Sequence, residues 1–197
     1  MSAARLFHWP EMPALPPPGQ PVLVKVDTAM SRPTARQQLR ETVQCILSAW
    51  RGSASQAPSW RETPCGPIWP DRTGELPVAA SFSYSDNTGW IGLVRGGLIG
   101  VDAMRACPFP EMEEVALLYL GPAAAVAIRA AIDPARAFAI AWTGWEAQLK
   151  CQGRSLTEWP SAPVTSGIRF TGQQTHIQDD VVVSVVTAEP TTHPRAA

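Results

Sequence analysis

The chain has 197 residues, 45% of them hydrophobic, enough for one large or two smaller domains with a buried core. A formal net charge of -1 and a pI near 6.3 give no basic field for neutralising phosphates, which argues against nucleic-acid binding. There is no run of about 20 apolar residues, no signal-peptide pattern, and no CxxC or disulfide-dense spacing among Cys45, Cys65, Cys107 and Cys151, so a soluble cytoplasmic protein with reduced thiols and no membrane contact is expected.

The Pro-rich opening up to Pro21 reads as an irregular arm, because proline removes backbone donors and fixes φ. PVLVKVD (21 to 27) alternates like a half-buried strand. Ser31 is placed to cap a helix whose apolar residues Leu39, Val43, Ile46, Leu47 and Trp50 recur at three- and four-residue intervals, ending near Gly52. Residues 51 to 77, dense in Pro, Gly and Ser, read as a long loop. ASFSYS (80 to 85) and WIGLV (90 to 94) are strands, and Arg95-Gly96-Gly97 predicts a hairpin into LIGVDAM (98 to 104). Helices follow over 111 to 120, over 123 to 131 after the Gly121-Pro122 break, and over 134 to 152, with Gly153 as the C' residue. IRFTG and DDVVVSVVTAE are strand-like, and the tail TTHPRAA is expected to fray. Helix and strand in similar measure in each half predict an α+β fold, divided at 97/98.

Two segments carry candidate chemistry. In an extended LIGVDAM, Gly100, Asp102 and Met104 share one face while Ile99, Val101 and Ala103 form the aliphatic one. Asp102 then reads either as an oxygen ligand for a hard cation or as a strand-end turn residue. In WTGWEAQLK, a helix puts Trp142, Glu146 and Lys150 on one face, as a functional row or as a core-boundary tryptophan beside an i,i+4 salt bridge. Lys150 is one of only two lysines in the chain, the other being Lys25.

FSYSD (82 to 86), GVDAM (100 to 104) and WTGWEAQLK followed by GRSL, in this order and spacing, resemble the three signature stretches of the two-half 4'-phosphopantetheinyl transferases, F-N-x-S-H, G-[VI]-D-x-E and W-x-x-K-E-A-x-x-K. Arg32, Arg36, Arg40 and GPIWPD (66 to 71) resemble the preceding region of that family, so the likeness spans roughly residues 30 to 160. It implies a pseudo-dimer of two similar α+β halves, monomeric because its cleft lies within one chain. The implied reaction moves the phosphopantetheine arm of coenzyme A onto a serine of an acyl or peptidyl carrier protein. By the same resemblance, Asp102 and Glu146 would hold Mg²⁺, Glu146 would deprotonate the serine, and Lys150 would steady phosphate charge. Arg32, Arg36, Arg40, Ser85 and Asp86 would lie along coenzyme A.

The pattern is broken at three places: Met104 stands for the second acid of G-[VI]-D-x-E, Asp86 for the histidine of F-N-x-S-H, and Trp145 for the first lysine of the third motif. Ser83 replaces the asparagine of F-N-x-S-H. Each of the three main changes removes complementarity to a polyanion or its metal. The alternative expectation is therefore a degenerate homologue that binds coenzyme A or a carrier protein without turnover.

Overall fold

The computed structural model of the chain describes residues 3–28, 31–52, 60–69, 76–159 and 168–190. The first part of the chain contributes β1 (Arg5–His8), β2 (Val22–Asp27), α1 (Arg32–Arg51), β3 (Arg61–Thr63), β4 (Gly66–Trp69), β5 (Val78–Ser85) and β6 (Thr88–Arg95). Its strands form one six-stranded sheet in the order β1-β2-β6-β5-β4-β3. The second part contributes β7 (Leu98–Arg105), α2 (Met112–Leu120), α3 (Pro122–Arg129), α4 (Pro134–Gln152), β8 (Ile168–Gln178) and β9 (Val181–Pro190), with a three-stranded sheet ordered β7-β9-β8. The architecture is α+β, as expected. Among the described residues, no helix is long and apolar enough to cross a membrane.

Alternation along the strands decides the layers. Val22, Val24 and Val26 of β2, with Ala80, Ile91 and Leu93, pack on Leu39, Val43, Ile46 and Leu47 of α1. Gly89 admits this helix, since a Cβ there would lie 2.6 Å from a Leu39 methyl. The opposite face of the first sheet, with Leu23, Ala79, Trp90 and Val94, packs on Ile99, Val101, Ala103, Val183 and Val185 of the second. The aliphatic face predicted for β7 is thus core, and it is the core shared by the two sheets.

Three local expectations change. The Pro-rich arm contains β1, parallel to β2, because Leu6 and Phe7 reach apolar neighbours between the prolines. The expected loop contains β3 and β4, held by pairing of Ile68 with Ala79 of β5, while 53–59 and 70–75 lie outside the described residues, as does the tail expected to fray. Arg95-Gly96-Gly97 does not close a hairpin: it hands the chain from one sheet to the other, and tight hairpins are formed instead by β3-β4, β5-β6 and β8-β9. At the long helices, Ser31 is extended but its hydroxyl accepts from Thr34 Oγ1 at 3.3 Å instead of capping the backbone, and Gly153 adopts the left-handed C-cap with φ 67°.

Both sheets contain the same path: a strand, a long helix, then an antiparallel hairpin whose second strand lies between the other two. The hairpins β5-β6 and β8-β9 both turn on an Asp with positive φ, Asp86 at 54° and Asp179 at 56°. Counting from those turns, Ile91 corresponds to Ser184, and their partners Val24 and Asp102 correspond likewise. Val22 and Val26 then correspond to Gly100 and Met104. The helix-facing row of β2 is all valine, whereas that of β7 carries a glycine, a carboxylate and a thioether.

Candidate active site

The site is built where α4 crosses β7. Gly100 sets the approach: a Cβ there would lie 1.9 Å from the Ala147 carbonyl oxygen and 2.7 Å from the Cys151 nitrogen, so only glycine lets the helix backbone settle this low. One step along the same face, Asp102 is 8% exposed. Its Oδ1 accepts from Ser83 Oγ at 2.9 Å and from Lys150 Nζ at 2.7 Å. Lys150 Nζ also donates to the Val101 carbonyl at 3.1 Å and to the Phe82 carbonyl at 3.4 Å. An ammonium has three donors, and these acceptors engage all of them.

Ser83 belongs to a row that motif comparison passes over. In SFSYS the serines alternate with aromatic residues, so Ser81, Ser83 and Ser85 lie buried on the face of β5 turned away from α1, while Phe82 and Tyr84 pack toward the helix. Ser81 Oγ accepts from Val101 N and Ser83 Oγ from Ala103 N, each at 3.0 Å, satisfying β7 edge groups that would otherwise be buried without partners. The alternation itself was the available signal. A second buried hydroxyl contact joins Thr143 of α4 to Ser184 of β9 at 2.8 Å.

Glu146 sits half-buried beside this arrangement and has no hydrogen-bond partner among the described residues. Loss of water pushes its carboxyl above the usual range, the charge of Asp102 adds to the rise, and Lys150 opposes it. The i,i+4 ion pair between Glu146 and Lys150 is not formed: Lys150 pairs with Asp102 across elements instead. Trp142, from the same helical row, stacks on Phe138 at 5.5 Å and meets Tyr119 edge-on at 5.7 Å, anchoring the helices.

The remaining predicted residues are distributed differently. Arg32, Arg36 and Arg40 form one exposed row on α1, and their charges act on the Tyr84 hydroxyl, whose pKa is nevertheless raised, chiefly by burial. Tyr84 and Ser83 are successive on β5, so the arginine row and Asp102 lie on opposite faces of that strand. Arg40 is further engaged by Glu62 at 3.1 Å and lies over Trp60. Ser85 is buried at the end of its row. Asp86 occupies the hairpin turn and is neutralised by Arg105 at 2.8 Å, which also pairs with Asp180.

Two departures from the motif have visible surroundings. Met104 packs with the apolar cluster around Ala116, Ala125, Ile128 and Phe138, where a carboxylate would be desolvated. Trp145 lines an apolar cavity of about 310 Å³ with Tyr119, Ile140 and Trp159.

The donor set suits a hard divalent ion such as Mg²⁺: Asp102 Oδ2 and Glu146 have no described hydrogen-bond partners, and the repulsion of their charges marks a place for positive charge. Mg²⁺ commonly takes one or two protein carboxylates and completes its shell with water and phosphate. Among the described residues, no group of three or more His, Cys, Asp or Glu side chains gathers around one point. No protein-family model and no curated protein matches the chain.

Proposed function

We propose that the chain is a cytoplasmic, monomeric 4'-phosphopantetheinyl transferase, a pseudo-dimer of two α+β halves that moves the phosphopantetheine arm of coenzyme A onto a serine of an acyl or peptidyl carrier protein. The carrying observation is the contrast between equivalent rows: Val22, Val24 and Val26 make a plain core with α1, whereas Gly100 and Asp102 lie under α4 with Glu146 close by. An apolar strand-helix contact suffices for folding, so a buried carboxylate and a glycine-enabled close approach in the other copy call for a chemical reason.

In this reading, the serine Oγ attacks the β-phosphorus of coenzyme A, and its proton passes to Glu146. The phosphorus-oxygen bond to the departing adenosine 3',5'-bisphosphate breaks with its electron pair on that oxygen. Burial raises the proton affinity of Glu146 and Asp102 adds to it, whereas Mg²⁺ on these carboxylates would lower it, so the base is the Glu146 oxygen left off the metal. Asp102 is oriented by Ser83 and, in the ion-free chain, is paired with Lys150. Mg²⁺ held by Asp102 and Glu146 would neutralise the pyrophosphate and the charge developing on it. The arginine row on α1 faces away from this pyrophosphate, on the other side of β5, so it takes no part in the transfer step.

The test is intact-protein mass spectrometry of apo carrier proteins incubated with the chain, coenzyme A and Mg²⁺. The expected result is gain of one phosphopantetheine, abolished by EDTA and by Glu146→Ala. No gain on any carrier from a folded chain would sink the transferase.

A second reading is a binding protein without turnover, favoured by the engagement of Lys150 with Phe82, Val101 and Asp102, which leaves no lysine donor for phosphate. It predicts calorimetric binding of coenzyme A or a carrier protein with no mass gain.

A further inference from the structure

We infer that the Lys150 ammonium is the resident cation of this site, and that it and a divalent ion are alternative occupants of one oxygen-lined position beside Asp102. The inference rests on the site assigned above and concerns its charge state, whatever group is transferred there.

The geometry is that of a small cation in an oxygen cage. Nζ lies 2.7 Å from Asp102 Oδ1, 3.1 Å from the Val101 carbonyl and 3.4 Å from the Phe82 carbonyl. Two of these acceptors are main-chain groups of β5 and β7, fixed by their sheets, so the cage does not depend on mobile side chains. Its one charged member, Asp102, is further oriented by Ser83. A single ammonium balances that carboxylate, and a second acid on β7 is absent because Met104 occupies its place among apolar neighbours. A divalent ion drawn to Asp102 would meet a positive charge already in contact with the carboxylate, and like charges at such separations repel strongly. Asp102 Oδ2 stays open, but an ion there would still face the ammonium on Oδ1 of the same carboxylate, so tight entry goes with departure of the ammonium, and a polyanionic ligand is the chemistry that would draw it away.

With Lys25 and Lys150 as the only lysines, isotopic labelling of lysine gives two sets of side-chain signals, assigned with Lys25→Arg. Titrating Mg²⁺ alone into the full chain is expected to leave the Lys150 signals unmoved below about 1 mM, the weak end of hard-cation sites. A saturating shift at micromolar Mg²⁺ would overturn the inference. In parallel, Mn²⁺ binding followed by electron paramagnetic resonance is expected to tighten by roughly tenfold or more in Lys150→Met. The gain should vanish when Asp102→Asn is added. Equal Mn²⁺ affinity in the parent and Lys150→Met, or a gain that survives Asp102→Asn, also rejects it. Should Lys150→Met not fold, the lysine titration of the parent chain decides alone. Neither readout involves a carrier protein: a chain that labels carriers yet binds Mg²⁺ at micromolar concentration rejects this inference and leaves the transferase intact. Failure to label any carrier does the reverse.

Discussion

Glu146 ties the stability of the chain to its proposed chemistry. Its carboxyl titrates above the ordinary value of 4.5 because burial and Asp102 disfavour the anion. Between the unfolded and folded values the native state holds more protons than the unfolded one, so stability falls as pH rises through that window. At neutral pH the ionised side chain is a cost. Glu146→Gln is therefore expected to stabilise the fold at pH 7, and solvent screening of this half-exposed carboxyl keeps the gain toward the low end of the about 0.5–2 kcal/mol that single stabilising substitutions yield. The gain should fade toward pH 4.5 and below, where the unfolded carboxyl is protonated as well. Calorimetric melts at neutral and acid pH measure this, and a Tm at pH 7 no higher than that of the parent refutes it. The same variant should lose carrier labelling by about 100-fold or more if Glu146 is the base. Asp86 gives the opposite case. It is exposed, sits in a turn at φ 54° and is paired with Arg105. Ion pairs this exposed contribute little and Asn tolerates the left-handed turn, so Asp86→Asn should leave the midpoint of denaturant melts essentially unchanged. It should also leave the KM for coenzyme A unchanged; a marked fall would return Asp86 to the binding surface.

At the level of elements, the contact of α4 with β7 is the one that admits least change. Gly100→Ala drives a methyl into the Ala147 carbonyl, a main-chain atom that moves only if the helix moves. Overpacking of this kind costs about 1–3 kcal/mol, and a shifted helix carries Glu146 and Lys150 with it. The expected result is a lower Tm together with a fall in kcat for carrier labelling; a neutral Tm would show that the helix gives way freely. Much of this contact was legible in the sequence, because a period of two along LIGVDAM and a period of four along WTGWEAQLK assign the facing sides. What those periods do not carry is the partner across space. Lys150 bonds to Asp102 and not to Glu146 because the helix lies low over Gly100, a distance that no spacing within the helix encodes. The strands β3 and β4 were hidden for a different reason: they pair locally with each other, β4 lies on the next strand β5, and this sheet pairing overrides the Pro and Gly signals of the segment.

For the whole molecule, the question is whether the two repeated paths are separable. Between their sheets lie Leu23, Trp90, Ile99, Val101, Val183 and Val185, all nearly inaccessible to solvent. Each such side chain contributes roughly 1.5–3 kcal/mol on burial, so together they match the net stability of about 5–15 kcal/mol that a domain possesses. Fragments 1–97 and 98–197 are accordingly expected to lack cooperative melts when expressed singly, and the full chain to unfold in one transition. Circular dichroism melts of each fragment and of the intact chain test this. A native-like cooperative melt of either fragment alone would establish an autonomous half. The chemistry demands the same union as the core does. Ser83 and the Phe82 carbonyl come from one path, Asp102 and Lys150 from the other, so each path alone holds an incomplete site. Mixing the two fragments should therefore restore cooperative folding and carrier labelling together, since the sheet-to-sheet core that completes the fold is what brings β5 onto the edge of β7.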